Sequence, residues 1–322
     1  MLRFFSAGKL AVLTLVVAAS CSNPTSVEPI STASAASPGT VQVDGSSTVY
    51  LITEAVAEEF RGEHPEVRAV VGVSGTGGGF KKFSAGEIDI CDASRTIKAE
   101  EKQNCEAHGI KYIELEIAFD GLSVVVNPEN DWCDCLTVAQ LKAIWQPESA
   151  ISKWSDLNPA WPEEKIELFG PGTDSGTFDY FTEAIVGTAK SSRADYTPSE
   201  DDNMLVTGVE GSKYALGYFG YAYYIENKDR LKLLGVDPGD GKCVQPSEET
   251  VRSNTYRPLS RPLYIYVNTA SLKRPEIAQF VAYYLEQVGT LVPQVGYVPL
   301  SEEAAAKSQK VFDEAMAAAK AN

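Results

Sequence analysis

The stretch that decides the fold is VQVDGSSTVYLITEAVAEEFRGEHPEVRAVVGVSGTGGGF, residues 41–80. A short β-branched run at 41–43 ends in Asp-Gly-Ser-Ser-Thr, and apolar residues at helical spacing follow at 53–61. A second β-branched run, 67–73, ends in Ser-Gly-Thr-Gly-Gly-Gly, and another helix is predicted at 78–85. Strand, polar turn and helix alternate, which is typical of an α/β protein with mostly parallel sheets.

The same alternation continues along the rest of the chain. Further strands are predicted at 112–116, 121–127, 165–169 and 263–268, and further helices at 137–145, 177–185, 275–288 and from 301 onward. The aromatic stretch at 214–224 favours a core strand, whose alternating faces bury rings, over a sugar-stacking surface.

Length and charge narrow the classes of function. A chain of 322 residues, 44% of them hydrophobic, is long enough for two domains. The formal net charge is −16. This charge disfavours nucleic acid and anionic membranes as partners, because binding to them requires clustered cations. Any anionic ligand must therefore be held by a local site.

The N-terminus predicts export. Arg3 and Lys9 precede an apolar stretch at 10–19, which together indicate a signal peptide over residues 1–20. The end of this segment, Ala-Ala-Ser-Cys, resembles the bacterial lipobox, so we expect lipid on Cys21, with simple cleavage as the alternative. Residues 21–40 are rich in Ser, Pro, Ala and Thr and are predicted to be a flexible tether.

Five cysteines remain after Cys21, and an exported protein favours disulfides among them. A Cys91–Cys105 bridge would close a short loop across a predicted helix. Cys243 could pair with Cys133 or Cys135. We predict the Cys91–Cys105 and Cys135–Cys243 bridges, with Cys133 unpaired.

Enzyme and metal sites are not indicated. A phosphate-binding Walker loop needs Gly-Lys-Ser/Thr at its end, whereas Gly79 is followed by Phe80. Residues 72–76 and 172–176 both miss the Gly-x-Ser-x-Gly pattern of a nucleophile elbow. The chain has two histidines, and Cys-Asp-Cys at 133–135 is spaced too tightly for a zinc knuckle. We therefore expect no catalytic residue, metal or cofactor.

Three segments share one layout, in which a strand ends, a Gly/Ser/Thr turn follows and a helix begins: turn 1 (44–49), turn 2 (74–79) and turn 3 (172–177). Each offers backbone N–H groups at a helix N-terminus together with hydroxyls. One such turn is also ordinary capping, but three together indicate an oxyanion site. A fourth segment, 89–96, adds Arg95, whose guanidinium can donate two parallel hydrogen bonds to an oxyanion.

With these residues the chain resembles the substrate-binding proteins of phosphate ABC transporters, within the type II periplasmic-binding-protein (PBP) superfamily. The resemblance is carried by DGSSTV (44–49), SGTGGGFK (74–81), DASR (92–95), FDGLSVVVN (119–127) and DSGT (174–177). It implies two α/β lobes with mostly parallel sheets, joined by two hinge crossovers and closing on phosphate. Lobe 1 is expected to comprise residues 41–126 and 263–322, and lobe 2 residues 127–262.

The resemblance also implies a set of phosphate-binding residues. They are Ser47, Thr48, Ser74, Gly75, Asp92, Ser94, Arg95, Asp174, Ser175, Gly176 and Thr177. The best-known branch has an Arg four residues before the serine of turn 3, where this chain has Pro171, and an Asp where it has Arg95. We therefore expect Arg95 to supply the guanidinium and Asp92 or Asp174 the carboxylate.

The expected function is that of an exported monomer, attached to the membrane only through lipid. It would bind inorganic phosphate and deliver it to an ABC transporter permease. A receptor of the same fold for molybdate, tungstate or sulfate is one alternative. An exported phosphatase is another, although hydrolysis needs a metal pair or an activated nucleophile.

Overall fold

The computed structural model describes residues 39–321, and in that range it confirms the α/β prediction. The strands are β1 Gly39–Gly45, β2 Val67–Val73, β3 Ile90–Ala93, β4 Tyr112–Val126, β5 Cys135–Thr137, β6 Glu167–Pro171, β7 Thr197–Ser199, β8 Ala215–Gly220, β9 Lys232–Leu233, β10 Gly235–Asp237, β11 Ser260–Asn268 and β12 Val298–Pro299. The α-helices are α1 Ser47–Glu63, α2 Gly75–Ser84, α3 Ala99–Ala107, α4 Val138–Trp145, α5 Gly176–Phe181, α6 Asp202–Glu210, α7 Tyr221–Glu226, α8 Glu248–Arg252, α9 Pro275–Gln294 and α10 Glu302–Ala321.

The main sheet consists of two parallel groups joined by an antiparallel pair, in the order β2-β1-β3-β11-β4-β8-β6-β7. At one end β1 runs parallel to β2 and β3. At the other, β6 runs parallel to β7 and β8. Between them β11 and β4 are antiparallel to each other, and β4 is antiparallel to β8. This arrangement is consistent with the type II PBP fold that the sequence predicts.

Strand β4 is longer than predicted. The sequence indicates two strands, 112–116 and 121–127, whereas the structure has one strand of 15 residues. Its first part pairs with β11, and its last five residues pair with β8. The polar Asp120, followed by Gly121, interrupts the apolar pattern of the sequence. Asp120 nevertheless remains inside the strand, because Arg261 on β11 lies directly opposite it.

Two separate hydrophobic cores flank this antiparallel pair. Core 1 draws its buried residues from 41–118 and 263–297, together with Phe312. Core 2 draws them from 119–259, together with Val298. Both β4 and β11 therefore run from one core toward the other. The predicted lobe boundaries at 126/127 and 262/263 stay a prediction.

The aromatic stretch contributes to core 2, although only its first half is a strand. Residues Ala215–Gly220 form β8, and the chain then enters α7. Tyr218 stacks on Phe181 with ring centroids 3.6 Å apart and meets Trp145 edge-on at 4.8 Å. These rings are buried, so the interpretation as core rather than sugar-binding surface fits their placement.

The start of the described chain revises the predicted tether. Strand β1 begins at Gly39, whose N–H donates to the Glu66 carbonyl at 3.1 Å, so residues 39 and 40 belong to the sheet. The predicted signal peptide, Cys21 and the rest of the tether lie outside the described residues. Within the described residues, no helix combines the length and the apolar character needed to cross a membrane.

The cysteines follow one of the two predicted pairings. Cys135 on β5 is bonded to Cys243, with Cα atoms 6.2 Å apart, and Cys133 is free, both as predicted. The predicted Cys91–Cys105 bridge is wrong, since both residues are buried free thiols. The Cys91 Sγ fills the space above Gly79, where a Cβ would lie 2.9 Å from it, and Cys105 packs in the same aromatic-rich cluster. Both behave as small apolar core residues.

We expect non-reducing peptide mapping to recover the Cys135–Cys243 disulfide, and Cys91, Cys105 and Cys133 to resist alkylation until the protein unfolds. The three thiols are fully buried, and burial raises the pKa of Cys133 to about 12 and that of Cys91 well above its ordinary value. Thiolate is the reactive form. The measurement is iodoacetamide labelling with and without urea. A mapped Cys91–Cys105 or Cys133–Cys243 peptide would contradict the prediction.

Candidate functional site

Turn 1 is held by the neighbouring strand β3. Ser46 caps α1, its Oγ accepting from the Val49 N–H at 3.4 Å, and its own N–H donates to the Asp92 carbonyl at 3.0 Å. Ser47 and Thr48 follow as the first residues of α1, and both line a cavity of about 690 Å³, the larger of two cavities bordered by the three turns. The first N–H groups of a helix have no intrahelical acceptor, so α1 offers them to a ligand in this cavity.

Turn 2 is fastened to turn 1. The Ser74 hydroxyl donates to Oδ1 of Asp44, and Lys82 Nζ lies 2.6 Å from Oδ2 of the same carboxylate. The Ser74 N–H donates to the Gly45 carbonyl at 3.1 Å. Gly75, which begins α2, lines the larger cavity. Gly75 therefore lies at the site. Ser74 does not line the cavity, and its hydroxyl is hydrogen-bonded to Asp44 instead.

Turn 3 contacts turn 1 directly. A Cβ on Gly176 would lie 3.0 Å from Thr48 Oγ1 and 3.1 Å from the Thr48 backbone nitrogen, so a side chain at this position would push turns 1 and 3 apart by a few tenths of an ångström. Ser175 caps α5, its Oγ accepting from the Thr177 N–H at 3.2 Å. Asp174, Ser175, Gly176 and Thr177 line a second cavity of about 400 Å³, and Ser47 lines both cavities.

The larger cavity measures about 690 Å³ and joins the other predicted residues. Those among its lining residues are Ser47, Thr48, Gly75, Ser94 and Arg95. Ser94 is positioned by turn 2, because its N–H donates to Thr76 Oγ1 at 3.1 Å and the two hydroxyls are also 3.1 Å apart. Two exposed cations, Lys98 and Arg257, line the same cavity.

Arg95 reaches this cavity with its charge already paired. Its Nη1 and Nη2 donate to the two carboxylate oxygens of Glu101 at 2.8 and 2.7 Å. Nη1 also donates to the Thr96 carbonyl at 3.1 Å, and the guanidinium carbon lies 5.6 Å from the centre of the Phe80 ring. Glu101 in turn caps α3 by accepting from the Lys98 N–H.

The two carboxylates that the sequence suggests as proton acceptors lie elsewhere. Asp92 is fully buried beneath turn 1, lines neither cavity, and accepts from Thr53 Oγ1 at 3.0 Å. Burial raises the pKa of Asp92 well above its ordinary range. Asp174 is exposed at the second cavity, where its N–H donates to Glu200. The structure therefore separates both from Arg95.

Sequence reasoning missed the arginine at the centre of the larger cavity. Arg261 Nε and Nη2 donate to Oδ2 of Asp120 at 3.2 and 3.1 Å, and Nη2 also donates to Thr48 Oγ1 at 2.9 Å. Its guanidinium carbon lies 3.5 Å from the centre of the Tyr180 ring. A sequence signal existed, since Arg261 lies two residues before the predicted strand at 263–268, next to the predicted lobe boundary.

A second missed residue is Asp179, on α5 just after turn 3. It lines the larger cavity. Its Oδ1 is shielded from solvent and accepts no hydrogen bond from the described residues, and Lys190 Nζ lies 3.7 Å from it. Burial raises the pKa of Asp179 above its ordinary value, against the charge of Lys190, a hydrogen bond from the Ser47 side chain and the charge of Arg261. Asp179, two residues after turn 3, thus lies in the cavity where the sequence analysis expected the carboxylate of Asp174.

Comparisons of the sequence and of the whole fold with known proteins identify relatives of this chain. A family model described as a PBP superfamily domain matches residues 31–287. The chain is 51% identical to the SphX protein of Synechocystis sp. over 82% of this chain and 79% of that protein. It is 41% identical to the phosphate-binding protein PstS of Staphylococcus aureus over 82% of this chain and 80% of that one. A solved structure, a possible phosphate-binding protein from Planctomyces limnophilus, matches with a TM-score of 0.83 and 51% identity, over 86% of this chain and 99% of its own.

Proposed function

Since the chain belongs to the PBP superfamily, and within it to the substrate-binding family of phosphate ABC transporters, we propose that it binds inorganic phosphate in the larger cavity and delivers it to a membrane transporter. One observation carries the proposal. The N-termini of α1 and α2 and three arginines line the same cavity in a chain whose net charge is −16.

The chemistry of the cavity suits a small oxyanion. Backbone N–H groups at Ser47, Thr48 and Gly75 and the hydroxyl of Ser94 offer hydrogen bonds without adding negative charge. Fixed donors of this kind can replace the hydration shell of the anion. Local donors are required here because the overall field of an acidic protein repels a dianion. Turn 3, through the Gly176–Thr48 contact, adds Ser175 and Thr177 at the neighbouring cavity.

The cellular setting belongs to the same proposal. The signal peptide predicted at residues 1–20 supports export, and the lipobox-like sequence supports a lipid anchor on Cys21. The protein would then act as a monomer outside the cytoplasm, handing phosphate to the permease of an ABC transporter. Intact-mass analysis of membrane-extracted protein tests the anchor, because it must show a diacylglycerol adduct on a chain that begins at Cys21.

The proposed role is binding without chemistry. The relatives named above are a possible phosphate-binding protein and a phosphate-binding protein. No group of histidine, cysteine or acidic side chains among residues 39–321 has the arrangement to hold a metal ion.

We expect calorimetric titration to show tight binding of phosphate and of its protonated analogue arsenate, and sulfate to bind roughly ten- to a hundredfold more weakly. The proton of phosphate can form a hydrogen bond to a carboxylate in the site. Fully ionised sulfate has no proton and would leave that carboxylate without a hydrogen bond. Preferred binding of sulfate or molybdate would instead identify a receptor for another oxyanion. Release of nitrophenol from p-nitrophenyl phosphate, with divalent metal added, would contradict the binding-only role.

A further inference from the structure

We infer that Arg261, rather than Arg95, is the main guanidinium that binds the anion, and that Asp179 accepts a hydrogen bond from the proton of the bound anion. This inference rests on the proposed function and names the residues that set its specificity. Neither residue occupies a position where the family resemblance places a charged ligand. The resemblance places the Arg four residues before the serine of turn 3, and this chain has Pro171 there.

The two arginines use the same number of donors, three each, but differ in where their free N–H groups lie. A guanidinium has five N–H groups. In Arg261 the Asp120 carboxylate occupies Nε and part of Nη2 through a single oxygen, and Thr48 takes the other Nη2 proton. No residue that the structure describes accepts from Nη1 of Arg261, so both N–H groups of this one terminal nitrogen remain free. In Arg95 the Glu101 carboxylate binds both terminal nitrogens and Thr96 takes the second Nη1 proton, so the two N–H groups that the described residues leave free are divided between Nε and Nη2.

Burial adds to this difference. The Arg261 side chain is 14% exposed and its partner Asp120 2%, against 29% and 16% for Arg95 and Glu101. A charge held in a less solvated position interacts more strongly with an incoming anion. The Tyr180 ring, 3.5 Å from the guanidinium carbon, fixes the plane of the Arg261 fork before the anion arrives.

The position of Arg261 also connects the two sides of the site. It lies on β11 directly opposite Asp120 on β4, the two strands that run between the cores. Through Nη2 it contacts Thr48 on α1, which packs in core 1, and through its face it contacts Tyr180, which belongs to core 2. An anion bound to Nη1 would therefore meet groups from both cores at once.

Asp179 has one carboxylate oxygen, Oδ1, without a well-formed hydrogen bond within residues 39–321, although the Ser47 side chain and Lys190 lie close to the carboxylate. Its Oδ1 is buried and makes no hydrogen bond to the described residues, which is uncommon for a buried carboxylate oxygen. The Lys190 ammonium at 3.7 Å is beyond hydrogen-bond distance and is itself well exposed. A proton on the bound anion would supply the missing donor. HPO₄²⁻ carries one proton and sulfate carries none, so Asp179 would favour phosphate.

Matched substitutions test the arginine assignment. Arg261→Lys and Arg95→Lys both keep the charge and remove the planar fork. We expect Arg261→Lys to weaken phosphate binding by at least about tenfold and Arg95→Lys by less than about threefold, measured by calorimetry. Equal losses in the two variants, or a larger loss in Arg95→Lys, would overturn the assignment. If Arg261→Lys does not fold, the double variant Asp120→Asn/Arg261→Gln replaces the buried ion pair by neutral amides and gives the same readout.

A second pair of substitutions tests which carboxylate accepts the hydrogen bond from the anion. Asp179→Asn is expected to narrow the preference for phosphate over sulfate by at least about tenfold, because an amide can also donate to a sulfate oxygen. Asp174→Asn is the control and should leave the preference unchanged. An unchanged preference in Asp179→Asn would overturn the role of Asp179. Failure of the unmodified protein to bind phosphate would instead overturn the proposed function, so the two failures are distinguishable.

Discussion

Asp120→Ala is expected to lower the free energy of unfolding by about 3–5 kcal/mol, because it leaves the Arg261 guanidinium buried without its counter-charge. The side chains of Asp120 and Arg261 are 2% and 14% exposed and are joined by two hydrogen bonds to one carboxylate oxygen. The substitution also releases Arg261 from its position, so phosphate binding should be lost as well. Urea unfolding followed by circular dichroism, without phosphate, measures the first effect.

Glu101→Ala is the matched control for this prediction. It removes the carboxylate partner of an arginine that lines the same cavity, but Arg95 is 29% exposed and remains in contact with water. A partly exposed pair contributes less than about 1 kcal/mol, and the lost cap of α3 adds about 1 kcal/mol, so the expected loss of stability is smaller than that of Asp120→Ala. If the two variants were equally destabilised, the burial of the Asp120–Arg261 pair would not matter in the way that we argue.

Gly45→Ala is expected to cost about 4 kcal/mol or more of stability and to disrupt turn 1. Gly45 has φ +150°, and a Cβ there would lie 2.1 Å from the Asp92 carbonyl oxygen and 2.9 Å from the Asp92 backbone nitrogen. These atoms are backbone and cannot rotate away. The β1–β3 pairing, together with the Ser46 N–H bond to the Asp92 carbonyl that orients α1, must therefore shift.

Gly62→Ala provides a control of opposite sign. Gly62 lies within α1, and a Cβ there would meet no heavy atom within 4 Å. Replacing a helical glycine by alanine in open space stabilises a protein by roughly 0.5–1 kcal/mol. Thermal unfolding and phosphate titration of both variants check the comparison. Parent-like stability in Gly45→Ala would show that turn 1 accommodates a side chain, contrary to the geometry.

The sequence by itself determined the local parts of this protein. Turns 1 and 2, with the helices that follow them, were readable because strand and helix periodicity and helix N-terminal residues depend on neighbours a few positions apart. The family resemblance rests in part on the same segments. The strand β2 was predicted at its observed bounds, 67–73, and the Cys135–Cys243 pairing was predicted from the export signal and the loop lengths.

Only the tertiary structure determines which charged side chains pair with each other and which line the cavity. Arg261 and Asp120 are 141 residues apart in sequence, and their pairing depends on the register of β11 against β4, which no local pattern encodes. The two-strand prediction for β4 has the same cause. Asp120 interrupts the apolar pattern of the sequence, whereas in the fold its charge is paired with that of Arg261. Cys91 was predicted to bond to Cys105, whereas packing against Gly79 and the surrounding rings leaves it free.

The carboxylates show the same division. Asp174 and Asp179 lie in or just after turn 3 and Asp92 lies in the segment 89–96, and sequence alone does not show which of them faces the ligand. The fold buries Asp92 beneath turn 1, exposes Asp174 at the second cavity and places Asp179 in the larger one. Solvation and the distance to Arg261 determine which of them can serve a bound anion, and both are properties of the packed chain.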